Sequence, residues 1–343
     1  MSQTAVKKRY EWIDIARGIG IVLVMFGHIN YPYITDEIYT FHIPLLFFLS
    51  GVVFNDNKPV KIFFMDELKR LVIPYYCWAL LFFVLPGAII DFIGGNGFFI
   101  PVEYKQYLYM GRLDCIWYLS ALLVIHIISY TVLKLSKGNG FVLGIVSVLL
   151  FAGFYIYYQN GGKNLWFNID IACMGILFFA AGYLLNKKSD VFEKLQNFSD
   201  RKKMICLIAF AAVNIAAGTL NRYLSGENVN MFQNCYANPL LMLISAFFGI
   251  AAVMMLSVMI KSRVFKYIGQ NSMPYFIMHQ RLYIYIYAYV YSLIGFDRDA
   301  GILNQTINFI LLPVVMCGVL TAVNMIIVRI KPLSFILGTG KKG

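Results

Sequence analysis

Charged residues are scarce in this sequence. Only 13% of the 343 residues are Asp, Glu, Lys or Arg, whereas 60% are hydrophobic, and a soluble globular protein carries roughly a quarter charged residues. The mean hydropathy of +0.69 points in the same direction. The composition therefore excludes a soluble globular protein and leaves no room for a large soluble domain beside a set of membrane spans.

Cysteine motifs are also lacking. The six cysteines are scattered singly, with neither a CxxC pair nor a Cys/His cluster at metal-ligand spacing, so the sequence predicts no disulfide framework and no metal site. A cleavable signal peptide is not expected either. The apolar stretch after Lys7-Lys8-Arg9 carries Asp14 and Arg17 and has no small-residue cleavage site, which favours a retained first span.

Long apolar runs are abundant, and strand-type alternation of apolar and polar residues is absent. The sequence therefore predicts an all-α fold, a polytopic transmembrane helical bundle that forms a single domain over residues 1–343. The apolar run at 267–294, the ninth in chain order, is long enough to be tilted or broken at Pro274. About ten spans are predicted, at 13–30, 38–54, 71–90, 117–133, 141–158, 166–185, 204–220, 237–260, 267–294 and 305–328.

The net charge of +12 reflects topology. If the N-terminus is cytoplasmic, most of the 29 basic residues fall in inner segments, and the outer segments hold only Lys105, Arg112, Lys163, Arg222 and Arg298. The positive-inside rule then predicts an N-in, C-in chain surrounded by membrane lipids. Because the basic residues mark one side of a membrane, no nucleic-acid partner is predicted.

Three ionisable residues lie in the first span. Asp14, Arg17 and His28 share one helical stripe, since the 11 steps from Arg17 to His28 miss whole turns by only about 20°. These two residues are separated by about 16 Å along the axis. One interpretation is a path for an anionic ligand that enters from the cytoplasm. The alternative is an interfacial Asp14–Arg17 pair with His28 as a packing residue.

Other polar residues near the spans also have two interpretations. Lys69 and Arg70 precede Pro74 at the inner start of the third span, where they could hold phosphates or only anchor the helix. Taken singly, the remaining histidines at positions 42, 126 and 279 are predicted to be hydrogen-bonded bundle residues.

Five segments, taken in order, resemble the acyltransferase-3 family of integral membrane acyltransferases, in particular the branch similar to fucose 4-O-acetylases and other sugar O-acetyltransferases. Arg17 and His28 match the family's Arg-x10-His pattern, and the resemblance extends over the whole chain. The matching segments are Asp14-Ile15-Ala16-Arg17-Gly18 to Gly27-His28, Phe41-His42-Ile43-Pro44 to Ser50-Gly51, Arg70 to Pro74-Tyr75, Trp117-Tyr118-Leu119, and Ile268-Gly269-Gln270-Asn271-Ser272 to His279.

The resemblance implies a multi-pass enzyme of the bacterial cytoplasmic membrane. Its donor would be a cytoplasmic acyl-CoA, usually acetyl-CoA, and its acceptor a hydroxyl of an extracytoplasmic saccharide or glycolipid. His28 would be the catalytic histidine, either as general base or as transient acyl carrier. Arg17 and Arg70, with Lys69 beside them, would hold the phosphates of the donor.

Further site residues are expected around His28. Asp36 and Glu37 begin the second span close to where His28 emerges, whereas Asp14 is about 21 Å away along the axis. Of these acids we expect Glu37 to orient the histidine. Trp117, Tyr118 and His279 are expected on the substrate side. The competing function class is a proton-coupled transporter or exporter of a small polar metabolite, for which paired broken helices around a midplane site are typical.

Overall fold

The computed structural model describes residues 10–86, 89, 104–187, 190–330 and 334, and within them the regular structure is helical, without a β-strand. We number the α-helices α1 to α15. They are α1 Glu11–Gly27, α2 Ile34–Val53, α3 Val60–Glu67, α4 Ile73–Ala79, α5 Tyr104–Leu108, α6 Trp117–Leu135, α7 Gly140–Gln159, α8 Ile169–Lys187, α9 Asp190–Gln196, α10 Asp200–Ser225, α11 Pro239–Met259, α12 Arg263–Gln270, α13 Ser272–Tyr285, α14 Ser292–Ile294 and α15 Ile302–Arg329.

Seven helices in the described part of the chain are long and apolar enough to cross a membrane, namely α2, α6, α7, α8, α10, α11 and α15. The predicted all-α polytopic bundle is thus confirmed. The other three predicted spans fall on shorter or interrupted helices. The first span is the 17-residue α1, and the third and ninth contain π-helical turns. The span count of ten and the N-in, C-in orientation stay predictions.

The third and ninth spans are interrupted close to residues that the sequence predicted for the site. Arg70 lies in a π-helical segment, Leu68–Val72, between α3 and α4. In the ninth span α12 ends at Gln270 and α13 begins at Ser272, so the interruption lies at Asn271, three residues before Pro274, the position at which the sequence predicted a tilt or a break. Such local departures from α geometry are frequent at functional sites because they redirect side chains.

The helices at the centre of the bundle approach closely at glycines. A Cβ atom at Gly18 of α1 would collide with the Phe265 carbonyl oxygen of α12, and one at Gly51 of α2 would collide with the Phe179 carbonyl oxygen of α8. Close helix contact through small residues is the usual packing mode in membranes. The glycines therefore fix the axial position of α1 and α2, which carry many of the site residues.

Burial separates a central set of helices from a peripheral set. In the most apolar window of each helix, 72% of α8 and 67% of α2 is buried, against 17% of α7 and 28% of α15. A helix that exposes apolar residues on most sides is suited to contact with lipid. The interior of the bundle is therefore formed around α1, α2, α6, α8 and α11.

Candidate active site

Two cavities lie one above the other between α1, α2, α6 and α13. We call them the inner and the outer cavity, after the predicted orientation of the chain. The inner cavity has a volume of about 570 Å³ and receives Arg17 from α1 and Ser50 from α2. The outer cavity has a volume of about 110 Å³ and receives His28 and His42 from the same two helices. Each helix thus contributes to both cavities at different depths.

A single aromatic ring marks the boundary between the two cavities. Phe276 of α13 lines both of them. Its ring centroid lies 4.9 Å from that of Tyr118, which lines the inner cavity, and 6.1 Å from that of His279, which lines the outer one. The inner and outer cavities are therefore neighbours, and Phe276 contributes to the wall of each.

The inner cavity is the more strongly charged of the two. Arg17 and Arg70 line it, and so does Lys58, whose ammonium group lies 2.5 Å from Asp66. Lys69, which the sequence placed beside Arg70 at the donor phosphates, is exposed and lies outside the cavity lining. The arginines are suited to phosphate groups because a guanidinium can donate two parallel hydrogen bonds.

Asp14 connects α1 to α12 through a hydrogen bond. Its carboxylate is buried and accepts a hydrogen bond of 3.0 Å from the Gln270 side chain. Gln270 in turn lines the inner cavity. Asp14 thus supports the wall of the inner cavity from the far end of the stripe that it shares with Arg17 and His28.

Three histidines face the outer cavity. His28 is the C-cap of α1, and its ring centroid lies 4.9 Å from that of His279. Nδ1 of His279 donates to the Phe276 carbonyl at 2.7 Å, and Nδ1 of His42 donates to the Ile38 carbonyl at 2.7 Å. Since a carbonyl can only accept, the neutral rings of His42 and His279 keep a proton on Nδ1 and a lone pair on Nε2.

An acid lies at the mouth of the outer cavity, and it is not the predicted one. Asp114 lines the cavity, forms a 3.0 Å ion pair with Arg281 and accepts from the Cys115 amide at 2.8 Å. Glu37 does not line this cavity. It accepts a 2.8 Å hydrogen bond from Thr219 of α10, and its carboxylate lies 3.8 Å from Arg222. The structure therefore brings Asp114 to the histidines and directs Glu37 to α10.

The structure also forms a cluster that the spacing of the cysteines did not predict. His28, Cys115 and His279 each place a potential ligand atom within 4.8 Å of the others. A soft divalent cation such as Zn²⁺ binds this combination of side chains. The Cys115 thiol, however, donates a 3.0 Å hydrogen bond to Gln280, so metal binding would first require loss of that proton.

The loop between α10 and α11 covers the outer cavity. Phe232 lines the cavity, and its carbonyl accepts a 2.8 Å hydrogen bond from Arg112. Arg112 also pairs with the fully buried Asp170 of α8, and Asn234 donates to the same carboxylate at 2.9 Å. This buried network holds the loop in place and helps to keep the outer cavity small.

The predicted substrate residues divide between the two chambers. Trp117 and His279 line the outer cavity, whereas Tyr118 lines the inner one and stacks on Phe47 with centroids 4.9 Å apart. Sequence reasoning missed His42, Asp114 and Cys115 as cavity residues. The signals that could have found them are the Phe41-His42-Ile43-Pro44 segment and an acidic residue placed just before a predicted span.

Comparison with known proteins identifies the family of the chain. The acyltransferase-3 family model, described as an acyltransferase domain, matches residues 10–329. No curated protein and no solved structure matches the chain. The family match extends over nearly the whole sequence and supports a membrane acyltransferase. The chain belongs to the acyltransferase-3 family.

Proposed function

We propose that this protein transfers an acyl group, usually acetyl, from cytoplasmic acyl-CoA to a hydroxyl of an extracytoplasmic saccharide or glycolipid in the bacterial cell envelope. The observation that carries the proposal is the pair of adjoining cavities. One helix, α1, places Arg17 in the larger, charged cavity and His28 in the smaller, histidine-lined cavity. The family match favours this reaction over the transporter hypothesis.

The inner cavity suits an acyl-CoA donor. Its volume of about 570 Å³ lies within the usual range for small-molecule sites, roughly 300–1,000 Å³. Arg17 and Arg70 would bind the phosphates, and Lys69 would add positive charge at the surface. The rise of about 16 Å from Arg17 to His28 is of the order spanned by the pantetheine arm, which would carry the thioester past Phe276.

The outer cavity suits the reacting hydroxyl. Its volume of about 110 Å³ admits the edge of a sugar ring, with Trp117 as an aromatic wall and His279 beside the hydroxyl. His28 accepts the hydroxyl proton while the oxygen attacks the thioester carbonyl. The C–S bond then breaks, and the CoA thiolate leaves and takes up a proton. A transient acyl group on His28 is the alternative route.

Substitution of His28 tests the proposal. We expect His28→Ala to lower acetyl transfer from radiolabelled acetyl-CoA to the envelope carbohydrate fraction on the order of 10²- to 10⁴-fold, the range for loss of a general base. Val22→Ala is the matched control, because Val22 lies on the same helix and lines neither cavity. Both variants should insert in the membrane and bind acetyl-CoA. Undiminished transfer by His28→Ala would overturn the assignment.

A further inference from the structure

A chain of hydrogen bonds joins three side chains of the inner cavity that the proposed reaction does not use. The Ser50 hydroxyl lies 2.9 Å from Nε2 of His126, and Nδ1 of the same ring lies 2.8 Å from a carboxylate oxygen of Glu67. The three residues come from α2, α6 and α3, and all of them line the inner cavity. The cavity therefore contains a serine, a histidine and an acid in linear order.

The proton positions in this chain follow from the donors and acceptors. A carboxylate accepts only, so Nδ1 of His126 donates to Glu67. Nε2 of the neutral ring is then the acceptor, and the Ser50 hydroxyl donates to it. This is the order found in serine hydrolases and transferases, in which the acid orients the imidazole and the imidazole takes the serine proton.

Ser50 differs from three buried serines whose hydroxyls donate within their own helices. The hydroxyls of Ser120, Ser147 and Ser257 each donate, at 2.8 Å, to the carbonyl three residues earlier in their own helix, which is a common local role for serine in a helix. Ser50 instead hydrogen-bonds to His126 across 76 positions of sequence and lines an open cavity. Its hydroxyl is thus available to a molecule bound in that cavity.

Ser50 also lies on the route of the donor. It is eight residues from His42 along α2, about 12 Å, and so lies on the inner side of the chamber that holds the histidines. Arg17 and Arg70 line the cavity beside it, and Asn271 and Ser272 add polar side chains to the same wall. An acyl-CoA that reaches His28 from the cytoplasm therefore passes the Ser50 hydroxyl.

We propose that Ser50, His126 and Glu67 form a second catalytic centre, which transfers the acyl group of acyl-CoA to the Ser50 hydroxyl. The inference rests on the donor-binding part of the proposed function and is independent of His28. His126 takes the serine proton, the Oγ–C bond forms, the C–S bond breaks, and His126 returns the proton to the CoA thiolate. Water that enters the cavity then hydrolyses the acyl-serine, with His126 as the base.

Isotope exchange tests this centre without an acceptor. Full-length protein in lipid nanodiscs is incubated with acetyl-CoA and tritiated CoA. If the acyl-serine forms reversibly, tritiated CoA attacks it and becomes labelled acetyl-CoA. We expect exchange by the wild type and by His28→Ala, and none by Ser50→Ala. His126→Gln should slow the exchange by at least about 10²-fold. Ser257→Ala is the matched control. The Ser257 hydroxyl is buried near the inner end of α11 and hydrogen-bonds only within that helix, so this variant should exchange the label at the wild-type rate.

A second variant guards against loss of folding in Ser50→Ala. Ser50→Cys keeps a nucleophile of similar size, and we expect it to accumulate a protein-bound acetyl thioester, located by mass spectrometry at position 50 and released by neutral hydroxylamine. Exchange that is lost in His28→Ala but kept in Ser50→Ala would overturn the proposal in favour of an acyl-histidine. Exchange absent from a wild type that still transfers acetyl would also overturn it. The proposed function fails separately, if His28→Ala retains transfer.

Discussion

The inner and outer cavities differ in size and in chemistry, although the same helices line both. The inner cavity is about five times larger, at about 570 Å³ against about 110 Å³, and two arginines, Arg17 and Arg70, line it. Three histidines line the outer cavity, and two of them, His42 and His279, keep a lone pair on Nε2. A polyanionic donor requires space and positive charge, whereas a reacting hydroxyl requires a small chamber, shielded from water, beside a base. Under the proposed function, this contrast assigns donor binding to the inner cavity and transfer to the acceptor hydroxyl to the outer one.

The largest effect is expected when a second histidine of the outer cavity is replaced. We expect His279→Gln to lower kcat for acetyl transfer by about 10²-fold, because Nε2 of His279 is held as an acceptor beside His28. KM for acetyl-CoA should stay within about twofold, since His279 does not line the inner cavity. Steady-state kinetics with varied donor measures both. A large rise in KM with kcat unchanged would show that the two cavities do not divide the roles in this way.

The charge of the inner cavity is tested by a neighbouring pair of residues. We expect Arg70→Ala to raise KM for acetyl-CoA about 10- to 100-fold, corresponding to loss of a charge-assisted hydrogen bond of roughly 1.5–3 kcal/mol. Lys69→Ala is the matched control, because Lys69 and Arg70 are both exposed but only Arg70 lines the inner cavity, and Lys69→Ala should change KM by less than about threefold. The difference should shrink at high salt. Equal effects of the two substitutions would contradict the proposed phosphate site.

The smallest effect is expected for the acid outside both cavities. Glu37→Gln should leave kcat within about twofold and lower the free energy of unfolding by about 0.5–1 kcal/mol, because it weakens a partly exposed contact with Arg222 and Thr219. Thermal unfolding and transfer assays measure these quantities. Asp114→Asn, which alters the acid of the outer cavity, should reduce transfer more. A large loss of transfer in Glu37→Gln alone would restore Glu37 as the orienting acid.

The periodicity of the first span predicted part of the site. Arg17 and His28 were placed on one stripe from their spacing alone, and the structure puts one of them in each cavity. This worked because a helix has a fixed rotation and rise per residue, so relations within one helix can be read from sequence. The same reasoning cannot assign a partner on another helix. Glu37 was expected at His28 because of its depth, but its side chain turns to α10.

Relations between helices explain the other residues that sequence reasoning missed. His126 was expected to be an ordinary bundle residue, yet it joins Ser50 and Glu67, which are 76 and 59 positions away in the chain. Cys115 meets His279 across 164 positions. No local pattern records such contacts, because they depend on the crossing points of helices. In this bundle those crossings are fixed by glycines such as Gly18 and Gly51.

The class of this protein follows from its amino-acid sequence. Scarce charge and long apolar runs require a helical membrane bundle, because the hydrocarbon interior accepts few other structures, and the ordered segments from Arg17 to His279 indicated the acyltransferase-3 family. Only the folded structure shows which side chains share a cavity, that Phe276 lines both cavities, and that the Ser50 hydroxyl lies beside His126. Hydrophobicity and helical period are local properties, whereas a site is made by side chains from helices that only packing brings together.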